Sequence, residues 1–244
     1  MRKFDVHAHF GAWNSIPIGR ISPADLAAIS RAAGIEKSVV SSVRGLLTDL
    51  VTGNQATQDA IEQQDMLFGY IYVDPHRPAE SIREVEARAK HPKVIGVKSR
   101  DDYHGVSYDH QSYRELFAAI KHLRLPGLLH TYSVASMRAA MELAADYGAP
   151  LILAHMAPPD WRACAAFASA DVPPNVYIDP ITSLAEPGRY ELAVEVFGED
   201  HVVFGTDGGL FHPGVAIGTI ESADLSDDVK RKVYWDNAER IFGS

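Results

Sequence analysis

The residues in this chain with the plainest chemical potential are His7 and His9. They close the apolar stretch Phe4-Asp5-Val6-His7-Ala8-His9-Phe10. Read as a strand, the stretch has a side-chain period of two, which puts Asp5, His7 and His9 on one face and Val6 and Ala8 on the other. Two imidazoles at a strand end can bind one divalent cation, and Asp5 is placed to orient a ligand through a hydrogen bond. A His-x-His pair alone fits a solvated strand end as well, so the question is whether other strands bring further ligands.

Other strands do. Lys98 follows Val94-Ile95-Gly96-Val97, His130 follows Leu128-Leu129, His155 follows Leu151-Ile152-Leu153-Ala154, and Asp207 follows Val202-Val203-Phe204-Gly205-Thr206. Each is a charged or metal-binding side chain set directly after a buried apolar run. Taken singly, each has a bland reading: a satisfied rim histidine, a helix-capping Asp207, a salt-bridged Lys98. Taken together, imidazole and carboxylate groups converging on one rim read as a metal site, formed by His7, His9, His130, His155 and Asp207.

The elements that must position these groups alternate. Strands are predicted at Phe4–Phe10, Glu36–Val43, Leu67–Val73, Val94–Lys98, Gly127–His130, Pro150–His155, Val176–Asp179 and His201–Asp207. Between them, helices are predicted over 24–33 (with Ser22-Pro23 as N-cap and first residue), 52–64, 79–90, 109–123, 134–147, 158–170, 187–197 and 227–242. A Gly-, Trp- and Pro-rich loop spans Gly11 to Arg20. About eight strand–helix units without a linker predict an α/β fold, a (β/α)8 TIM barrel in one domain over residues 1–244. An open doubly wound sheet is the alternative, but no Gly-rich fingerprint follows the first strand.

Composition narrows the partners. The chain has 244 residues, 46% hydrophobic, with a formal net charge of −9 and one cysteine, Cys164. An acidic chain without a Lys/Arg cluster argues against nucleic acid as partner, and a small-molecule substrate is expected instead. One cysteine cannot form an internal disulfide, the N-terminus enters a strand at once, and no apolar run is long enough to span a bilayer. A soluble, cytoplasmic protein without membrane attachment is therefore expected. No Gly-x-Ser-x-Gly elbow is present, and Cys164 lies among alanines in a helical stretch, so serine and cysteine nucleophiles are set aside.

The ordered set Asp5-Val6-His7-Ala8-His9-Phe10, Gly96-Val97-Lys98, Leu129-His130, Leu153-Ala154-His155-Met156, Phe204-Gly205-Thr206-Asp207 and Asn237-Ala238-Glu239-Arg240-Ile241-Phe242 resembles the amidohydrolase superfamily. Within it, the chain is similar to the amidohydrolase-related metal-dependent hydrolases, the branch that includes the aminocarboxymuconate semialdehyde decarboxylase type. The resemblance implies that His7, His9, His130 and Asp207 are metal ligands. It implies that His155 is either a ligand to a second ion or an unligated acid/base, and that Lys98 sits where some members carry a bridging carboxylated lysine. It also implies a homodimer. The TatD-type nucleases share the His-x-His start but carry Glu at strand four, where Lys98 stands here. Two loops depart from the common pattern: Ser99-Arg100-Asp101-Asp102 replaces a His-Pro turn, and Gly208-Gly209 precede Pro213.

The expected activity is hydrolysis of an ester, amide or lactone in a small carboxylate-bearing substrate, with a divalent metal, Zn²⁺ first, in one or two copies. Asp207 or His155 takes the proton, Lys98 belongs to the catalytic set, and Arg100 or Arg44 holds a substrate carboxylate. The alternative is metal-dependent non-oxidative decarboxylation of an unsaturated or aromatic acid. The chain's brevity is taken as favouring the hydrolase.

Overall fold

The computed structural model describes residues 1–13, 19–167 and 172–243. Seven parallel strands pair in chain order: β1 (Phe4–Phe10), β2 (Lys37–Ser42), β3 (Leu67–Tyr72), β4 (Val94–Arg100), β5 (Gly127–His130), β6 (Leu151–Ala154) and β7 (Val176–Asp179). Every residue of β1, β5, β6 and β7 is buried. That is the state of strands covered on both faces, and it explains why they read as apolar runs rather than as alternating ones. The helices are α1 (Pro23–Ala32), α2 (Val43–Leu47), α3 (Leu50–Gln63), α4 (Pro78–Arg88), α5 (Asp101–His104), α6 (Gln111–Ile120), α7 (Val134–Tyr147), α8 (Arg189–Phe197), α9 (Gly214–Ser222), α10 (Asp227–Arg231) and α11 (Asn237–Phe242). The whole is a curled parallel sheet inside a helical layer, a (β/α)8 barrel.

The eighth strand differs from expectation. Residues 202–208 occupy the gap between β7 and β1, but through isolated bridges, Ile178 to Val202 and Ala8 to Gly208. Val203 N–H donates to Ile178 O and Val6 N–H to Phe204 O, both at 2.9 Å. The ladder then breaks because a side chain takes its donor. Thr206 N–H lies 3.0 Å from Asp5 Oδ1 and 3.3 Å from His7 O. Asp207, with φ 49°, then leaves the extended conformation.

A bulge corrects the expected faces of β1. Its register against β2 shifts by one residue between Asp5 and Ala8. The in–out alternation therefore reverses within the strand. Phe4 and Val6 pack with Val39, Tyr70 and Leu128 inside the barrel, and His7 and His9 also point inside. Asp5 is turned the other way. It accepts from His7 N, Thr206 N and Thr206 Oγ1, and so orients backbone rather than an imidazole.

Local signals set several ends. Ser22 caps α1, its side chain accepting from Asp25 N, while the Asp25 carboxylate accepts from Ser22 N. Ser22→Ala removes the hydroxyl half of this pair and should lower stability by about 1 kcal/mol, or about 2–4 °C in melting temperature. Thermal unfolding followed by circular dichroism checks this, and an unchanged midpoint removes the cap from the account. The helix expected over 227–242 is interrupted by a π turn, Lys232–Asp236, that buries Val233, Tyr234 and Trp235. Over 158–166 the chain forms a kinked 3₁₀ segment instead of an α-helix. The expected continuation over 168–170 lies outside the described residues, as do positions 14–18 of the first loop. No helix among the described residues is long and apolar enough to cross a membrane.

Candidate active site

The strand ends bring the predicted groups to one mouth of the barrel. His7, His9, Lys98, His130, His155 and Asp207 are all buried there. His7 Nε2 lies 3.2 Å from His9 Nε2. Asp207 Oδ1 lies 3.6 Å from His7 Nε2 and 3.5 Å from His9 Nε2. Ligands 2.0–2.1 Å from a tetrahedral ion stand about 3.3 Å apart, so this triangle has the dimensions of one coordination face. Among the described residues, this is the group of His, Cys, Asp and Glu ligand atoms close enough to hold an ion.

The surroundings fit that role. His7 Nδ1 is 2.8 Å from Asp179 Oδ2, the carboxylate–histidine arrangement that aims Nε2 at a metal. His9 Nδ1 is 3.0 Å from Ser41 Oγ, so its Nε2 is likewise the free nitrogen. Burial pushes both histidines down, with the Lys98 cation adding to the effect, so both favour the neutral form a metal ligand needs. Burial pushes Asp207 up to about 6, against the pull of Lys98 and Arg100. Lys98 is pushed down to about 7, chiefly by burial, against the attraction of Asp207. Its Nζ lies 2.9 Å from His7 Nε2.

His130 and His155 stand beside the triangle rather than within it. Their ring centroids are 4.2 Å apart, and His155 is 5.1 Å from His7. His130 Nδ1 is buried without a hydrogen-bond partner. It lies 3.2 Å from Asp102 Oδ1, off the hydrogen-bond direction, and burial pushes His130 well down, so the ring is neutral. That nitrogen faces Asp102 rather than the triangle. His155 Nδ1 is 2.8 Å from Ile181 O, and a carbonyl only accepts, so Nδ1 carries the proton and Nε2 the lone pair. Burial pushes His155 down to about 3.

Arg100 and Arg44 separate. Arg100 sits at the end of β4 with its Nε and Nη2 forked onto Asp102 at 3.1 and 2.6 Å, and its guanidinium lies 4.0 Å from the Tyr103 ring centre. Arg44, on α2, is exposed and lines a cavity of about 460 Å³ with Arg20, Asp59 and Gln63, away from the triangle. Two features escaped the sequence reading. Asp179 ends β7 as Asp207 ends the eighth segment, so the strand-end rule itself would have flagged it. Tyr132 stacks on His130 at 4.3 Å and 13°, with 44% of its surface exposed; no spacing signals that.

A parallel barrel with a His-His-Asp triangle at its C-terminal mouth defines a class of metal-dependent barrel enzyme. The amidohydrolase family model, Amidohydro_2, matches residues 4–244, and the chain belongs to that family. No functionally curated protein matches it in sequence. Among solved structures, it resembles 2,6-dihydroxybenzoate decarboxylase from Rhizobium, with TM-score 0.76 and 16% identity over 99% of both chains. It resembles a dihydroxybenzoic acid decarboxylase from a Polaromonas species, holding manganese and 2-nitroresorcinol, with TM-score 0.78 and 16% identity over 99% of this chain and 96% of that one. It also resembles 5-carboxyvanillate decarboxylase from Sphingomonas paucimobilis, with TM-score 0.70 and 18% identity over 88% and 81%. Brevity therefore does not set this chain apart from decarboxylase folds.

Proposed function

We propose that this enzyme, read as one domain over residues 1–244, is a metal-dependent, non-oxidative decarboxylase of a hydroxylated aromatic acid. Hydrolysis, the first expectation, becomes the second reading. The observation that carries the proposal is a partly exposed tyrosine ring packed on the two histidines that flank a one-ion triangle: Tyr132 lies flat on His130, next to His155. Such a face suits an aromatic ring better than an aliphatic amide. The names of the structures the chain resembles point the same way.

His7, His9 and Asp207 would hold one divalent ion, with the His130 ring packed alongside. Zn²⁺ is the first candidate and Mn²⁺ the second. When bound, the ion supplies Lewis acidity that draws in a carboxylate and a neighbouring ring oxygen. The residues of the chain do the rest. Arg100 Nη1, the nitrogen Asp102 leaves free, faces the substrate's charge. Asp207 Oδ2, which makes neither histidine contact, delivers a proton to the ring carbon that bears the carboxylate. The carbon–carbon bond then breaks, its electron pair restores the aromatic ring, and CO₂ leaves. The balance is ArCO₂⁻ + H⁺ → ArH + CO₂. Burial favours the protonated form of the Asp207 carboxyl that this step uses. His155 Nε2, which holds a lone pair, takes a proton from solvent and passes it on to recharge Asp207.

The test is a substrate panel of dihydroxybenzoates, carboxyvanillate, lactones and aryl esters, with CO₂ and product measured. Turnover of hydroxybenzoates with CO₂ release is expected, and turnover of esters or lactones alone would establish the hydrolase. Stripping the metal with a chelator should lower kcat by at least about 100-fold, and Zn²⁺ or Mn²⁺ should restore it. Full activity in metal-free protein would end the metal role of the triangle.

A further inference from the structure

His155 is held by a backbone that L-residues avoid. His155, Met156 and Ala157 have φ of 75°, 51° and 49°, three left-handed residues in succession. Each such non-glycine residue costs about 1–2 kcal/mol and persists only where its surroundings over-determine it. Three bonds restrain the turn through the backbone or its neighbours. His155 N donates to Asp179 O at 2.7 Å, Ala157 N to Thr131 O at 3.1 Å, and Thr131 Oγ1 to Ala154 O at 2.8 Å. The fourth restraint is a side chain from another element. Arg189, at the start of α8, is only 1% exposed and is the largest fully buried side chain among the described residues. Its Nη2 donates to His155 O and, at 3.2 Å, to Met156 O. Its Nη1 pairs with Glu186, which also accepts from Trp161 Nε1 at 2.9 Å. Trp161 lies in the 3₁₀ segment that follows the turn. One buried guanidinium thus ties the left-handed turn to the loop after β7 and to α8.

We propose that Arg189 is the positioning residue for His155: its forked donation to the His155 and Met156 carbonyls holds the left-handed turn that sets the imidazole beside the triangle. Nη2 serves both carbonyls while Nη1 holds the carboxylate, a division between two fixed nitrogens that a single ammonium nitrogen lacks. A buried cation bonded mainly to carbonyls is expensive to keep for stability alone, and a hydrophobic side chain would fill the space. Its consequence for turnover rests on the proton role given to His155 above; its consequence for the placement of His155 does not.

The experiment uses the full chain loaded with Zn²⁺ or Mn²⁺. Arg189→Lys keeps the charge and loses the fork. It should lower kcat about tenfold, leave KM within about twofold and leave metal content unchanged. In a His155→Ala background, the same substitution should lower kcat by less than about twofold further, because residues acting as a unit are not additive. An equal tenfold loss in both backgrounds would make Arg189 merely structural and overturn the proposal. A second readout needs no turnover. In the Zn²⁺-loaded chain the His155 Nδ1–H, bonded to Ile181 O, should give a downfield proton resonance assigned by its loss in His155→Ala. In Arg189→Lys it should shift or broaden, and an unchanged resonance would overturn the proposal. Arg189→Ala with added guanidinium covers a poorly folded Lys variant; guanidinium should restore the resonance, and failure in a folded protein counts against the assignment. A moved resonance in an enzyme that decarboxylates nothing leaves the positioning intact and removes only the reaction.

Discussion

Asp207→Asn should lower kcat by at least about 1,000-fold while leaving the barrel folded. Two losses combine. The variant removes the anionic oxygen that faces both His7 and His9 at 3.6 and 3.5 Å, so the cation site weakens. It also removes the proton that the proposed reaction draws from the carboxyl. The backbone tolerates the change because Asn accepts the left-handed conformation that Asp207 holds at φ 49°. Stability should move in the opposite direction in metal-free protein. Burial pushes Asp207 from its usual range up to about 6, so its ionised form is disfavoured by folding. A carboxyl with a raised folded pKa takes up a proton on folding between about pH 4 and 6, and stability falls as pH rises through that window. The Asn side chain has no such dependence. Chelated Asp207→Asn should therefore be the more stable protein at pH 7.5, by on the order of 1–3 kcal/mol, and this advantage should shrink towards pH 4. Urea unfolding at both pH values checks the sign. Wild-type turnover in the Asn variant would remove Asp207 from the mechanism.

Gly205→Ala should damage both stability and the metal site, although Gly205 contacts neither ion nor substrate. A Cβ at this position would stand 2.3 Å from Asp179 Oδ2, 2.5 Å from its Cγ and 2.6 Å from Oδ1. Asp179 is fully buried, and its carboxylate serves His7 Nδ1 and Ile181 N. The added methyl must push it off those partners. Overpacking and the orphaned groups together should cost about 3 kcal/mol, or about 6–12 °C in melting temperature. Losing the carboxylate behind a ligating histidine should weaken metal affinity about 10–100-fold. Titration with Zn²⁺ and thermal unfolding measure both effects. If affinity and midpoint are unchanged, Asp179 moves freely and does not hold His7 in place.

The two cases show which parts of the site were legible in the chain. Lys98, His130, His155 and Asp207 stood out because each follows an apolar run, and a parallel barrel gathers strand ends at one mouth. β5 and β7 and the helix over 134–147 lie where the pattern put them, since short runs bounded by Gly, Pro or Ser leave little freedom. The pattern failed where tertiary contacts override a local period. The bulge in β1 reversed the face of Asp5, and the role expected of it passed to Asp179, 172 residues further along the chain from His7. The eighth strand lost its ladder to a carboxylate that no local rule connects with Thr206.

The amino-acid order alone thus determined the barrel and which histidines and which aspartate gather at its mouth, because hydrophobic periodicity and strand-end chemistry are local properties. Only the tertiary structure decided which three atoms form the triangle, that Arg100 is forked onto Asp102 while Arg44 faces a separate cavity, and that Arg189 braces His155. Those outcomes depend on side-chain directions between residues distant in the chain. Directions at such range are set by packing across the barrel and by burial of polar groups that must find partners, and no stretch of sequence carries that information by itself.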